Sequence, residues 1–245
     1  MLGMNRRRVK LDVAACGKHP AFIDYIRVNS ALPLANALAS WVDAGMKSGM
    51  PDFKKNRGIH SFRFWTRGPH KQTLIVGIVK DSSDSLGRTY PLLITGQVFM
   101  KDMYRQWRAV FDRFGQVFRA FEEMTAARYD RFREFETALS DVRFPEAENN
   151  TMNETSIFSD CLAAWSLKNG PDDHLILPMP VFLEKYQSHF ENGLNQGRDT
   201  TMTEPPKAIF IGGLPEKPVI AIYQRALRTS DFSRMFGLPQ NASIT

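Results

Sequence analysis

Three apolar runs between residues 60 and 99, separated by polar connections, constrain the fold of this chain most. Residues 73–79 (Thr-Leu-Ile-Val-Gly-Ile-Val) are continuously apolar and β-rich, which is typical of a strand in the interior of a sheet. Residues 62–67 alternate two phenylalanines and a threonine with Trp65 and two arginines, the pattern of a half-buried strand. A third run lies at residues 92–99. We therefore predict three sequential, antiparallel strands.

The residues before these strands predict a mixed α/β arrangement. Residues 11–16 form a short apolar run that Gly17 ends, and we predict a first strand there. Apolar residues recur at helical spacing over residues 34–46, and Pro33 fits the first turn of a helix. Because glycine disfavours helix, we expect Gly45 and Gly49 to weaken the end of this helix. Residues 50–60 are predicted to form a loop.

An aromatic stripe after the third strand predicts a long helix. Apolar residues recur every three or four positions from residue 107 to 124, and the same spacing continues to residue 139. We interpret the stripe as a core-facing surface rather than a cofactor site. Its members up to residue 124 are Trp107, Val110, Phe111, Phe114, Val117, Phe118, Phe121 and Met124.

The C-terminal part predicts further helices and a strand pair. Residues 145–153 are polar and form the best internal boundary, and helices are predicted at about residues 155–168 and 179–191. Apolar runs at residues 208–211 and 219–223 flank a Gly-Gly-Leu-Pro-Glu connection, which predicts two strands joined by a tight turn. A short final helix ends near Met235, with Asp231 as a candidate N-cap. We divide the chain into a basic tail (1–10), an α/β core with the long helix (11–140) and a C-terminal part (141–245) packed on the same domain.

Composition and charge argue against several classes of protein. The net charge is +6, but four of the positive charges lie in the first ten residues, so we expect no basic stripe on the folded domain and no nucleic-acid binding. No window approaches the roughly 18 apolar residues that cross a bilayer, and no apolar stretch follows the basic N-terminus as in a signal peptide. We therefore expect a cytoplasmic protein with no direct membrane insertion. Cys16 and Cys161 are expected to be buried free thiols.

Motifs of common catalytic and metal sites are missing from the sequence. We find neither a phosphate-binding P-loop nor a Gly-x-Ser-x-Gly nucleophile motif. Gly212-Gly213 lacks the third glycine of a dinucleotide fingerprint. The five histidines do not have the spacing of metal ligands. We predict a protein that is not an enzyme and that uses no cofactor or metal ion.

Two segments are unusually specific in sequence. Residues 17–27 (Gly-Lys-His-Pro-Ala-Phe-Ile-Asp-Tyr-Ile-Arg) follow the first strand, and Asp24 and Arg27 could pair if the segment were helical. Residues 84–92 (Asp-Ser-Leu-Gly-Arg-Thr-Tyr-Pro-Leu) connect two predicted strands, and an acidic residue with a glycine before an arginine can hold a guanidinium in a fixed place. The pair of Asp84 and Arg88 has two interpretations: a structural salt bridge, or part of a partner-binding surface.

Both segments resemble motifs of the TagF (ImpM) family of type VI secretion proteins. The first is similar to the family pattern Gly-Lys-x-Pro-x-x-Gly-Asp-Phe-[Ile/Val]-x-Arg, although Ile23 replaces its second glycine and Arg27 lies one place before its final arginine. The second is similar to Ser-x-Asp-x-x-Gly-Arg-x-[Phe/Tyr]-Pro. The resemblance covers roughly residues 13–140, and Trp41 falls where the family has a tryptophan. The candidate partner-binding or structural residues are Gly17, Lys18, Pro20, Asp24, Tyr25, Arg27, Trp41, Ser82, Asp84, Gly87, Arg88, Tyr90 and Pro91.

The resemblance implies a fold and a function. The implied fold is an α/β sandwich with a mostly antiparallel central sheet covered by helices, to which the sequence adds helical C-terminal elements. The implied function is post-translational repression of type VI secretion through contact with a scaffold protein that carries a forkhead-associated domain. No enzymatic activity and no cofactor come with the family.

Two alternatives to a non-catalytic regulator stay open at this point. Lys18, Asp24 and Arg88, with His19, could converge in a cleft that binds or processes a phosphorylated ligand. The chain could also be a structural component of the secretion apparatus. A weaker hypothesis makes the threonines of residues 199–204 phosphorylation targets for the forkhead-associated domain.

Overall fold

Eight strands form one sheet in the computed structural model, which describes residues 11–53, 58–68, 70, 72–100, 106–144, 173–179 and 205–237. The strands are β1 (Asp12–Gly17), β2 (Ile26–Val28), β3 (Ser61–Arg67), β4 (Thr73–Lys80), β5 (Leu92–Phe99), β6 (His174–Pro178), β7 (Ala208–Leu214) and β8 (Lys217–Tyr223). Their order is β2-β1-β5-β4-β3-β7-β8-β6, and every neighbouring pair is antiparallel. The predicted antiparallel sheet is confirmed.

The three strands predicted from residues 60–99 are β3, β4 and β5, which pair consecutively. Strand β4 is buried from Leu74 to Val79, as its continuous apolar run predicts. The half-buried pattern predicted for β3 is wrong at Trp65. Phe62 and Phe64 pack on one face, while Trp65 is fully buried on the other, where its ring lies 6.2 Å from that of Trp107. The alternation in β3 reflects two different cores rather than a core face and a solvent face.

One face of the sheet is covered by helix α1 (Pro33–Phe53) and by the final helix, Thr229–Met235. Pro33 begins α1 as predicted, but the helix continues past residue 46, so a loop over residues 50–53 is wrong. Gly45 explains the difference: a Cβ there would lie 2.4 Å from Cγ of Phe232, so glycine lets the two helices pack closely. This packing outweighs the poor helix propensity of glycine.

The opposite face is covered by the aromatic stripe, which does not form one long helix. It consists of a 3₁₀ turn (Trp107–Ala109) followed by α2 (Val110–Arg113), α3 (Gly115–Ala126) and α4 (Phe132–Asp141). The backbone is extended at Ala127 and Arg131, between α3 and α4. A straight helix over residues 107–139 would be about 50 Å long, longer than the roughly 35 Å width of an eight-stranded sheet. The helix is therefore interrupted, and the residues of the stripe stay on one core.

The C-terminal strands lie in the same sheet as β1–β5. The predicted pair is β7 and β8, whereas β6 was not predicted and lies at the sheet edge beside β8. The final helix, α5 (Thr229–Met235), begins after Arg228, so Asp231 is not its N-cap. Asp231 instead occupies the third helical position and accepts a hydrogen bond from the backbone N–H of Arg228 at 2.7 Å.

Several predictions lie outside the described residues. They are the basic tail, the boundary at 145–153, the helix at 155–168, nearly all of the helix at 179–191, Cys161 and the threonines of residues 199–204. The division into domains therefore stays a prediction. Cys16 is a buried free thiol.

Candidate functional site

The two unusual segments meet at one end of the sheet. Residues 18–25 connect β1 to β2, and residues 81–91 connect β4 to β5. Because β1 pairs with β5, with Cys16 opposite Leu93, the two connections emerge side by side. The backbone N–H of Ser85 donates a hydrogen bond to the carbonyl of Phe22 at 2.8 Å. The tertiary structure thus brings together two motifs about 60 residues apart in sequence.

Gly17 and Pro91 form the base of this site. Gly17 has a φ of +125°, and a Cβ there would lie only 2.1 Å from the carbonyl oxygen of Pro91. A side chain would therefore be strained twice, by the backbone conformation and by contact with rigid backbone. The first motif requires glycine here because the end of β1 lies directly against the start of β5.

Asp84 is the centre of the hydrogen bonding. Its side chain is fully buried. Oδ1 accepts the backbone N–H groups of Leu86 and Arg88, at 3.1 and 2.9 Å. Oδ2 accepts Nε of Arg88 at 2.7 Å and lies 3.0 Å from Nζ of Lys18. Burial acts to raise the pKa of Asp84, but the hydrogen bonds from Lys18 and Arg88 outweigh it and hold this pKa well below its ordinary value.

Gly87 completes the turn around this carboxylate. Its N–H donates to the carbonyl of Asp84 at 2.9 Å, and its φ is +77°. The backbone N–H of Asp84 donates in turn to the carbonyl of Arg88 at 3.1 Å. Tyr90 extends the loop, since its N–H donates to the carbonyl of Ser82 at 2.9 Å. The salt bridge between Asp84 and Arg88 is present, and it belongs to an ordered loop.

Arg88 also faces outward. Its Nη2 donates to the carbonyl of Ile23 at 2.5 Å and to Oδ1 of Asp24 at 3.2 Å. The hydrogen bond to Asp84 is the main cause that raises the pKa of Arg88. The pairing of Asp24 with Arg27 is therefore wrong: the segment is not helical, Asp24 pairs with Arg88, and Arg27 lies on β2. The guanidinium of Arg27 is 6.0 Å from the ring centroid of Tyr25.

Two tyrosines link the site to helix α1. The rings of Tyr25 and Tyr90 meet edge to face at 5.4 Å, and the hydroxyl of Tyr90 donates to Asp43 on α1 at 3.5 Å. Partial burial is the main cause that raises the pKa of Tyr25 to about 12, so this hydroxyl stays protonated near neutral pH.

Trp41 and Pro20 are the candidate residues that lie outside this network. The indole N–H of Trp41 donates to the carbonyl of Arg228 at 2.9 Å, and its ring packs against Phe210 and Phe232. Trp41 therefore joins α1 to β7 and α5. Pro20 is exposed in the turn after β1.

His19 is a buried link between the first segment and the helices. It is fully buried: Nε2 is 2.8 Å from the carbonyl of Met124, and Nδ1 accepts the backbone N–H of Ala21 at 3.1 Å. These contacts correspond to a neutral ring with its proton on Nε2. Burial lowers the pKa of His19, opposed by the hydrogen bond to Met124. The rings of Phe22, Tyr129 and Phe135 surround it within 5.5 Å.

Exposed apolar side chains are the feature of this site that the sequence analysis did not single out. Ile23, Tyr25 and Leu86 are 60%, 40% and 64% exposed, and they account for three of the five large exposed hydrophobic residues in the described part of the chain. All three lie on the two joined segments. We define the motif surface as Ile23, Asp24, Tyr25, Arg27, Leu86 and Arg88. The signal in the sequence was an isoleucine and a leucine within otherwise polar turn motifs.

The hypothesis of a phosphate-binding cleft has little support in this geometry. It depends on Lys18 and Arg88 as free cations, but both are bound to the buried carboxylate of Asp84, and Arg88 also pairs with Asp24. Within the described residues, no three histidine, cysteine or acidic side chains are grouped so that they could hold a metal ion. No helix in the described part of the chain is long and apolar enough to cross a membrane.

Comparison with known families identifies the chain. The family model described as the TagF N-terminal domain, type VI secretion system-associated, matches residues 14–143, which is more than half of the sequence. The chain belongs to the TagF family. The match includes both segments of the site and ends just after α4, so the resemblance inferred from the two motifs is confirmed. The TagF assignment places the chain among type VI secretion system-associated proteins.

A solved structure has a similar fold. The crystal structure of PA0076 from Pseudomonas aeruginosa PAO1 is similar, with a TM-score of 0.52 over 96% of this chain and 98% of that one. The two sequences are 13% identical, so this likeness concerns the fold alone. A comparison with curated proteins finds no match.

Proposed function

We propose that this TagF-family chain is a non-catalytic regulator of a type VI secretion system. It binds a scaffold protein with a forkhead-associated domain through the motif surface, and this binding represses secretion after the apparatus has been synthesised. The family supports the setting in type VI secretion. The partner and the repression are inferred from the family resemblance of the two motifs.

The observation that carries the proposal is the concentration of exposed apolar side chains on the two motif segments. Exposed apolar residues are common singly, but a group of them rimmed by polar groups marks a site of protein contact. Ile23 and Leu86 are more than half exposed, and the exposed arginines Arg27 and Arg88 lie on the same two segments. Tyrosine and arginine are the residue types that most often dominate the energy of protein interfaces.

The rigidity of the loops also favours protein binding. Asp84 holds residues 84–88 through three hydrogen bonds from Leu86 and Arg88, and it also pairs with Lys18. Arg88 ties this loop to Ile23 and Asp24. A surface that is already ordered before binding loses less conformational entropy when a partner docks. The cations of the motifs thus order the surface instead of lining a cleft for a phosphorylated ligand.

Two isoleucines of equal exposure allow a matched test. Ile23 lies on the motif surface and Ile59 lies before β3, and both are 60% exposed. Binding of the purified cognate scaffold is measured by calorimetry for wild type, Ile23→Asp and Ile59→Asp, after circular dichroism confirms that each is folded. We expect Ile23→Asp to weaken binding at least about tenfold, and Ile59→Asp to bind like wild type. Equal binding by both variants would exclude the motif surface, and absence of binding by wild type would exclude the partner.

Repression requires a measurement in cells. We expect that deleting the chain increases secretion by the type VI system, and that wild type but not Ile23→Asp restores repression. Unchanged secretion after deletion would contradict a repressor. Stoichiometric presence of the chain in the isolated apparatus would instead favour a structural component.

A further inference from the structure

Arg88 contacts two carboxylates that differ in burial and in the number of their hydrogen bonds. Asp84 is fully buried, accepts Nε at 2.7 Å and is held by further hydrogen bonds. Asp24 has an 86% exposed side chain, and a single contact of 3.2 Å joins its Oδ1 to Nη2. Exposed ion pairs of this kind contribute little to stability because water and salt screen them. The contact with Asp84 is therefore the strong one, and the exposed contact with Asp24 is the weak one.

The motif surface carries more positive than negative charge. Its exposed charges are Asp24, Arg27 and Arg88. In the described part of the chain no carboxylate pairs with Arg27, whose guanidinium lies over the ring of Tyr25. Arg88 is 52% exposed although its Nε side is bound to Asp84. Two arginines are consequently exposed on the segments that carry the three exposed apolar side chains, and one exposed carboxylate partly neutralises them.

We propose, building on the function proposed above, that Asp24 occupies a binding position on Arg88 in the free protein. In the complex, a carboxylate of the partner protein takes this position. Binding then exchanges one carboxylate for another on the outer edge of the guanidinium. The surface fits an acidic protein segment that presents a carboxylate next to an apolar side chain. The carboxylate binds Arg88, and the apolar side chain packs against Ile23 and Leu86. Before binding, Asp24 keeps the guanidinium pointed outward and partly neutralised.

The geometry favours a carboxylate over a phosphate group. A phosphate carries up to two negative charges and is bound best where several cations converge. Here Lys18 is only 17% exposed and is paired with the buried Asp84, so it offers nothing to an outside ligand. Of the two cations bound to Asp84, Arg88 alone keeps an outer edge, and this edge already binds a carboxylate of this chain at hydrogen-bond distance.

The test is whether one substitution strengthens or weakens the binding of the partner. Removing the charge of a residue that contacts a partner ordinarily weakens binding, but removing an internal competitor strengthens it. Asp24→Asn should therefore bind the purified cognate scaffold about two- to fivefold more tightly than wild type. Asp24→Ala repeats the test without a side-chain acceptor. Asp141→Asn is the control, because Asp141 is an exposed carboxylate 3.5 Å from Arg143 and its loss changes net charge equally.

Two further measurements accompany the calorimetry. Arg88→Lys keeps a cation for Asp84 but cannot bind two carboxylates in a planar fork, so its affinity should fall at least about tenfold. The affinity of wild type should also fall as the salt concentration rises from about 50 mM to about 500 mM. The affinity of Arg88→Lys should fall less steeply over the same range. Circular dichroism of each variant verifies that the loops remain on a folded domain.

Each result supports or overturns the exchange. Tighter binding by both Asp24 variants, with Asp141→Asn unchanged, supports it. Binding by Asp24→Asn that equals or falls below that of Asp141→Asn overturns it, while binding by wild type and its loss in Ile23→Asp would leave the proposed function standing. If neither wild type nor any variant binds the scaffold, the proposed function fails and the exchange fails with it.

Discussion

For Gly45→Ala, helix propensity and tertiary packing predict opposite changes in the stability of the folded protein. Alanine is more favourable than glycine in a helix interior by about 1 kcal/mol, so propensity alone predicts stabilisation. The structure predicts the reverse. A Cβ at residue 45 would lie 2.4, 2.5 and 2.6 Å from Cγ, Cδ1 and Cβ of Phe232, whereas carbon atoms in contact are about 3.5–4.0 Å apart.

The Phe232 ring is buried among other aromatic rings. It is fully buried, 4.2 Å from the ring of Phe236 and 5.4 Å from that of Trp41. Because Cβ of Phe232 is itself too close, a rotation of the ring cannot relieve the contact, and helix α5 must shift away from α1. Overpacking of this kind costs about 1–3 kcal/mol. After the gain in helix propensity, we expect a net loss of about 1 kcal/mol.

Urea unfolding of wild type, Gly45→Ala and Ser40→Ala measures the difference. Ser40 is exposed on the same helix, so Ser40→Ala reports propensity without packing and should raise the unfolding midpoint slightly. Gly45→Ala should lower it. The double variant Gly45→Ala/Phe232→Leu should lose less free energy of unfolding than the two single variants lose together, because the smaller side chain relieves the contact. A midpoint for Gly45→Ala above that of wild type would refute the packing argument.

Three further predictions concern the site and its supports. Gly17→Ala should destabilise the fold by more than about 2 kcal/mol, because positive φ and the Pro91 carbonyl both oppose a side chain, and thermal unfolding measures this. Burial lowers the pKa of His19 in the folded protein. As pH falls through about 6.5, His19 therefore takes up a proton in the unfolded chain while it is still neutral in the folded one. Stability should therefore be full above that pH and decline below it, by at most about 1.4 kcal/mol per pH unit, whereas His19→Gln should lack this contribution in urea titrations at several pH values. Asp231→Ala should cost about 2 kcal/mol, because it removes two charged hydrogen bonds from the mostly buried Arg225, which among the described residues keeps only Asp173 as an acidic partner; a loss below about 1 kcal/mol in urea unfolding would contradict this.

Features that depend on short stretches of chain were predictable from the sequence. The runs of β-branched and aromatic residues were sufficient for β3, β4, β5, β7 and β8, because a continuous apolar run bounded by turn residues has few other stable conformations. The loop around Asp84, Gly87 and Arg88 was also predictable, since the residues that hold each other lie within five positions. The two motifs sufficed to identify the family.

Features that depend on residues far apart in sequence were visible only in the folded chain. Trp65 is buried because a helical layer covers the second face of β3, and the pattern of β3 alone does not contain that layer. The aromatic stripe breaks after residue 126 because its helix must stay over a sheet of limited width. Strand β6, a short run ending at Pro178, becomes a strand by pairing with β8.

The motif surface also depends on residues far apart in sequence. Whether Asp24 pairs with Arg27 or with Arg88 depends on the antiparallel pairing of β1 with β5, which sets the two connections side by side. Local sequence fixes which conformations a segment can adopt. Only long-range packing fixes which of its charges and apolar side chains remain exposed, because exposure depends on which other parts of the chain cover them.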